Sequence, residues 1–475
     1  MKLDKIALKN FRCYQSVELD LHPHMTVLVA NNGQGKTTLL DAIRIGLWPY
    51  VSSFDLAKTA YADPSNTITV GDVLLLKNKN DMARQLPSEI MISGDYGQGD
   101  QSWKRYRDSE ARKSQTKDDV FSKQLKKFAL NLQESIRNLH DDPISLPVFG
   151  YYGTGRLWKE KRLMQSKMGS KNRKADESIR TFAYRDCLDP ASSYKQFEEW
   201  FTSSFKKIRE EQIKQWESGI SSIQVDPEIA NPVTVIQKSV NTLLKVTGWQ
   251  NVSYSETHDK SLVLQHPEKG TLKVDQLSDG IKNMLAMVAD IAYRCALLNA
   301  HLGADAALKT EGVILIDEVD MHLHPEWQQT VISSLTEAFP KLQFIVTTHS
   351  PQVLSTVAAE SIRLIHHEVD SETGAMQSII EQPDTQSRGV ASADVLAGMM
   401  GVDPIPAVKE ASWLSAYKAL IQTGEHESEA GASLKQKLIA HFGAEHQVML
   451  ECERLIRLQA MKAMKAKLSA RNAAE

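Results

Sequence analysis

Residues 30–38 read "ANNGQGKTT", between the apolar run "MTVLVA" at 25–30 and the helical spacing of "LLDAIRIGLW" at 39–48. A strand, a glycine-containing loop and then a helix is the setting in which backbone N–H groups wrap a string of phosphates. That chemistry needs glycines where the chain bends tightly, a Lys for the β- and γ-oxygens, and a Ser or Thr hydroxyl for Mg2+. Gly33, Gly35, Lys36 and Thr37 stand in those places, with Asn31, Asn32, Gln34 and Thr38 completing the loop. The first Gly of G-x-x-x-x-G-K-[ST] is replaced by Ala30, which is tolerated if φ stays negative there. The stretch predicts a phosphate-binding loop at the end of a parallel strand.

Three further segments answer to it. "GVILIDEVD" (312–320) is a continuous apolar run ending in acids, the pattern of a strand buried on both faces. Asp317 at its end is placed to hold Mg2+, and Glu318 to orient and polarise an attacking water. Read alone, the two acids would also serve as an N-capping pair for the next helix; beside a phosphate loop the metal reading prevails. His349 follows a second buried strand, "QFIVTTHS" (343–350), where it can sense a γ-phosphate. "LSDGIKN" (277–283) opens an apolar helix, and Ser278 and Gly280 at its N-terminus suit phosphate oxygens. Yet 278 − 36 = 242 residues separate this second phosphate site from Lys36. That exceeds a typical domain of ~100–150 residues, so the spacing predicts an insertion between the two halves.

The expected organisation is therefore an N-terminal lobe at 1–100, an inserted helical and basic arm at 101–250, a C-terminal lobe at 251–390, and a helical region at 391–475. Apolar spacing in the arm is too irregular for a long coiled coil. Residues 159–174 hold six Lys or Arg beyond Lys159 against Glu160 alone, a basic loop that suits nucleic acid, a phosphorylated partner or plain solvent. His322, His324 and Glu326 invite a metal reading, but Pro325 keeps them off one helical face. Near the end, Val448, Cys452, Leu455, Leu458 and Met461 recur at three- and four-residue steps, an amphipathic stripe for core packing or docking. A net charge of −3 over 475 residues gives no global sign of nucleic-acid or membrane binding. Four scattered cysteines, no signal-like start and no apolar run of ~20 residues fit a cytoplasmic protein.

The phosphate loop, LSDG, Asp317-Glu318 and His349, in this order, resemble an ABC-type ATPase head. With Thr37-Thr38, "FRCY" at 11–14 and "DEVDMHLHPEWQ" beside them, the likeness is to the RecF/SMC/OLD-like branch. "YYGTGRLW" and a helical tail without a nuclease motif bring it closer to the PtuA-type ATPases of Septu and retron-associated anti-phage systems. The resemblance implies an α/β P-loop ATPase head, with an α/β insertion and an α-helical C-terminal region, using ATP and Mg2+. It implies head-to-tail dimers in which Ser278 and Gly280 of one copy cap the nucleotide of the other. Arg12 would touch nucleotide phosphates, Asp320 would communicate across the dimer, and Gly155 and Arg156 would lie near the nucleotide. The family's partner is a separate HNH nuclease of the PtuB kind, with DNA, or a retron reverse transcriptase and its msDNA, as further candidates. This chain shows no HNH motif and no acidic nuclease cluster after His349, so it is expected to be an ATPase and not itself a nuclease. The alternative is a RecF-like repair ATPase that binds duplex DNA directly.

Overall fold

The computed structural model describes residues 1–57, 64–78, 81–111, 113–138, 142–155, 179–190, 194–219, 225–369 and 376–472. In chain order the strands are β1 (Lys2–Phe11), β2 (Tyr14–Asp20), β3 (Met25–Val29), β4 (Leu75–Asn78), β5 (Asp81–Arg84), β6 (Ser88–Asp95), β7 (Asp100–Arg107) and β8 (Lys117–Asp118). They continue with β9 (Val148–Tyr152), β10 (Gln250–Ser255), β11 (Ser261–His266), β12 (Gly270–Lys273), β13 (Gly312–Ile316), β14 (Leu342–Thr348), β15 (Ile362–Val369) and β16 (Met376–Glu381).

A six-stranded sheet has the order β16-β15-β3-β14-β13-β9. All its strands are parallel except β16, which returns antiparallel on β15. Every residue of β3, β9, β13 and β14 is buried, which is why these strands read as continuous apolar runs. The acid-bearing β13 is not adjacent to β3; β14 lies between them. Register then does the positioning: Val29 pairs with Thr348, Val346 with Ile316, and Ile316 with Tyr152. Four carboxyl ends therefore finish along one edge, where open α/β sheets hold their ligands.

A second, antiparallel sheet has the order β2-β1-β6-β7-β8. Helix α1 (Lys36–Val51) starts at the phosphate loop and is apolar on nearly every face, with Leu39, Leu40, Ala42, Ile43, Ile45, Leu47 and Val51 all buried. An all-round apolar helix has to be enclosed. Trp103 of β7 donates from Nε1 to the Gly46 carbonyl at 2.8 Å, and Arg105 to the Ile45 carbonyl at 2.7 Å, which ties α1 to this sheet. Each fully buried Leu or Ile contributes roughly 1.5–3 kcal/mol, so the first helix after the loop is anchored by its own core. The fully buried Gln343 side chain joins the sheets, accepting from Leu3 N at 2.8 Å and donating to Leu3 O at 2.7 Å.

Several expectations change. Residues 101–250 are not a separate arm, because a count between two motifs includes every residue that folds back into the sheets. β7 pairs with β6 from Asp95–Asp100 onward, β9 closes the six-stranded sheet, and the helix Pro227–Leu244 packs on the helix Asp279–Leu298. The chain divides instead into Met1–Val395 and Leu396–Glu475. Strands β10, β11 and β12 form a three-stranded antiparallel sheet. After β13 the chain forms two short helices, Pro325–Gln328 and Val331–Ala338, separated where Thr330 leaves helical backbone at φ −120°. The basic loop at 159–174 and Arg156 lie outside the described residues.

The second unit is built on helices Lys409–Thr423, Glu429–Phe442 and Gln447–Asn472. Its core is small: Tyr417, Ile421, Leu438, Met449 and Cys452 are buried, with Leu455 and Ile456 half-buried against them. The expected apolar stripe therefore splits. Cys452 and Leu455 face this core, whereas Leu458 is 43% exposed and Met461 70%, with Met464 beyond them at 68%.

Candidate nucleotide site

The loop at 30–38 turns through two left-handed glycines, Gly33 at φ +82° and Gly35 at φ +93°. Gly35 is required for space as well: a Cβ there would sit 2.5 Å from the Tyr14 hydroxyl and 2.8 Å from Cys13 Sγ. Tyr14 Oη donates to the Gln34 carbonyl at 3.1 Å, so the aromatic behind the loop also fixes its path. Asn31 N donates to Gln34 Oε1 at 3.0 Å, closing the loop on itself. Lys36 points back into the loop, donating from Nζ to the carbonyls of Ala30 at 2.9 Å and Asn31 at 3.3 Å. Burial lowers its pKa, and the neighbouring Asp317 and Glu318 oppose that shift. Its ammonium is held in a cradle of neutral acceptors, which phosphate oxygens would replace with charged ones.

Thr37 Oγ1 donates to Asp317 Oδ2 at 2.9 Å across 280 residues of sequence. A hydroxyl and a carboxylate at this distance are hard oxygen donors that fit a hydrated Mg2+. The carboxylates are oriented by two residues that belong to none of the sequence motifs. Thr347 Oγ1 donates to Asp317 Oδ1 at 2.6 Å and accepts from Glu318 N at 2.8 Å. Thr348 Oγ1 donates to Asp320 Oδ1 at 2.5 Å. Both threonines are fully buried at the end of a strand otherwise made of apolar side chains and Gln343. That pair of hydroxyls in "FIVTTHS" was the available signal. Glu318 adopts φ +50°, a strained value for a non-glycine residue, directly after Asp317.

His349 comes next to these groups. Burial pushes its imidazole pKa down and the Lys36 charge pushes further, while Glu318, Asp320 and Asp317 pull the other way. His349, Lys36 and the acids of β13 thus share one electrostatic environment although they come from three strand ends.

Arg12, expected at the nucleotide phosphates, is held by carboxylates in this structure. Its Nε donates to Asp72 Oδ1 at 2.7 Å and its Nη1 to Asp41 Oδ2 at 2.6 Å, so two carboxylates hold the guanidinium. An anionic ligand would have to compete with both. Ser278 is the N-cap of Asp279–Leu298 and lies exposed, with no side-chain cap bond. Gly280 is buried, and a Cβ there would meet the His322 carbonyl at 2.5 Å. Its glycine is therefore used for packing within the same chain, and Ser278 is the open end of the helix start. The His324 ring accepts from Glu326 N at 3.4 Å, capping the short helix that Pro325 begins.

Lys36, Thr37, Asp317, Glu318 and His349 converge at the carboxyl edge of one sheet, and Ser278 begins a separate helix. This is the arrangement of an α/β P-loop ATPase head followed by an α-helical C-terminal region. The AAA ATPase domain family matches residues 1–354, and the chain belongs to that family. It is similar to the retron Vc95 probable ATPase of Vibrio cholerae serotype O1 biovar El Tor, 25% identical over 93% of this chain and 88% of that protein. A Septu protein PtuA of Bacillus mycoides (strain KBAB4) is 35% identical over 118 residues, 25% of this chain and 16% of that one. These relatives support the PtuA- and retron-type ATPase likeness carried by the motifs. Among solved structures, the Smc head domain with an extended coiled coil bound to the C-terminal domain of ScpA, from Pyrococcus furiosus, matches 80% of this chain and 96% of that chain. Its TM-score is 0.43 at 15% identity. No described helix is long and apolar enough to cross a membrane.

Proposed function

We propose that this protein is the ATP-binding and ATP-hydrolysing regulator of an anti-phage defence complex, and that it controls a separate HNH nuclease. The observation that carries the ATPase reading is the 2.9 Å bond from Thr37 to Asp317, which joins the phosphate loop to the acid-bearing strand. ATP would lie with its phosphates on 31–38, Lys36 turning from the Ala30 and Asn31 carbonyls to the β/γ oxygens. Thr37 and Asp317 would hold Mg2+, which supplies charge neutralisation at the phosphates. Glu318 would orient and polarise the attacking water, and His349 would bond the γ-phosphate. Ser278, open at its helix N-terminus, would cap the γ-phosphate held by a second copy, making the sites composite.

The defence role rests on the likeness to a retron ATPase across most of the chain and to a Septu protein over 118 residues. The partner nuclease would dock on the second unit, where Leu458, Met461 and Met464 leave apolar surface in water. A Glu318→Gln variant tests the catalytic half of this reading. It should bind ATP like the native protein, turn it over at least ~100-fold more slowly, and accumulate as an ATP-bound dimer in light scattering. Native turnover in that variant would remove Glu318 from the reaction.

A further inference from the structure

Tyr152 ends β9 and is 2% exposed. Its main chain and its side chain serve different parts of the head. The Tyr152 carbonyl accepts the Asp317 N–H at 2.8 Å, so the backbone of the metal-side carboxylate is pinned to β9. Its hydroxyl donates to Asp290 Oδ2 at 2.8 Å, and Asp290 lies in the helix that Ser278 begins. The same oxygen accepts Arg294 Nε at 2.8 Å. Arg294 in turn donates to the Ala183 and Arg185 carbonyls. Asp290 and Arg294 are 5% and 4% exposed. Taking such an ion pair out of water costs several kcal/mol, and apolar residues of the same volume usually fill a core at least as stably. Stability alone does not account for a charged pair and a phenol at this place. What the trio does, geometrically, is fix the helix of Ser278 to the strand end that holds Asp317. Ser278 and Asp290 are twelve positions apart, so the helix spans about 18 Å between them and transmits a shift as a rigid rod.

We propose that Tyr152 is a positioning residue that couples metal-nucleotide binding at a chain's own Asp317 to the placement of that chain's Ser278 in its partner's site. The proposal rests on the composite-site reading above. A load on Asp317 would reach β9 through the Tyr152 carbonyl, and the Tyr152–Asp290 bond would pass it to the helix Asp279–Leu298. Two sites in a dimer then close together.

Tyr152→Phe removes one oxygen and keeps the ring, leaving Asp290 paired with Arg294. The expected result is ATP affinity and melting temperature close to native, with kcat lower by about tenfold and loss of any sigmoidal ATP dependence. A variant with native kcat and native ATP dependence overturns the proposal. So does a variant whose kcat, ATP affinity and melting temperature fall together, provided a stabilising second-site change restores all three. Mixed dimers locate the effect. Ser278→Arg chains supply the P-loop side of a rescued site, and Lys36→Ala chains supply the signature side. Tyr152→Phe should slow that site when placed in the Lys36→Ala chain, whose Ser278 it positions, and leave it unchanged in the Ser278→Arg chain, whose helix Asp279–Leu298 faces the inactive site. Failure of rescue with Tyr152 intact would count against composite sites and leave the kcat-against-affinity result to judge Tyr152 by itself.

Discussion

The head and the tail of this chain solve the same problem, burying apolar surface, with opposite margins. At the head site, four buried strands end together and their polar tips hold one another: Thr37 to Asp317, Thr347 to Asp317, Thr348 to Asp320. In the tail, five buried side chains form the core and the last helix carries Leu458, Met461 and Met464 into solvent. A preorganised site loses little on binding, because its dipoles are already aimed. An exposed apolar stripe gains by being covered. On the proposed reading, chemistry belongs to the first region and partner contact to the second.

The comparison breaks most visibly at Lys36. Lys36→Ala deletes the only ammonium in the phosphate loop and should weaken ATP binding by on the order of 3–4 kcal/mol, roughly 10²- to 10³-fold, measured by fluorescent-nucleotide titration. Equal affinity in variant and native protein would remove the P-loop assignment.

The tail offers a pair of substitutions that one stripe would not have separated. Leu455→Asp puts a charge against the small core and should destabilise the second unit by about 2 kcal/mol or more, seen as a lowered melting transition. Leu458→Asp, on the exposed part, should change stability by no more than about 0.5 kcal/mol yet abolish binding of an HNH partner nuclease in calorimetry. A nuclease that still binds Leu458→Asp at native affinity docks elsewhere.

The smallest expected effect is at His349. Burial and then Lys36 hold its pKa below the ordinary value of about 6.5. The unfolded imidazole therefore takes up a proton more readily than the folded one. The sign follows: its contribution to stability is complete above the unfolded pKa and declines as pH falls through the window between the two values. Lys36→Ala removes one of the two depressing causes, so the His349 resonance in an NMR titration should move its midpoint upward. A midpoint unchanged or lower in that variant would place Lys36 away from His349.

Much of the head was readable because its strands are buried on both faces. Such strands appear in sequence as apolar runs, and the polar residues that follow each run mark the site edge: Asn31 to Lys36 beyond β3, Asp317 beyond β13, His349 beyond β14. Thr347 and Thr348 escaped notice because threonine fits a strand as well as valine does, so a hydroxyl that orients a carboxylate leaves no break in the pattern. Tyr152 was hidden for another reason, since its partner Asp290 is 138 residues away and no local window contains both. Gly280 carries a second constraint that no local window contains, because a Cβ there would meet the His322 carbonyl. The tail stripe was correct as a period and incomplete as a surface: periodicity cannot say where a three-helix core ends and the exposed part begins.

The sharing of sites between copies is tested most directly by mixing two inactive proteins. Lys36→Ala cannot hold its own nucleotide but presents an intact Ser278. Ser278→Arg binds nucleotide but sets a bulky cation where a partner's γ-phosphate should be capped. Each alone should hydrolyse ATP at background rate. Allowed to exchange subunits freely, the mixture should recover about one working composite site per mixed dimer, read as phosphate release that rises and falls with the mixing ratio and peaks near equal amounts. Release that stays at background at every ratio, with mixed dimers confirmed by mass spectrometry, would contradict the account.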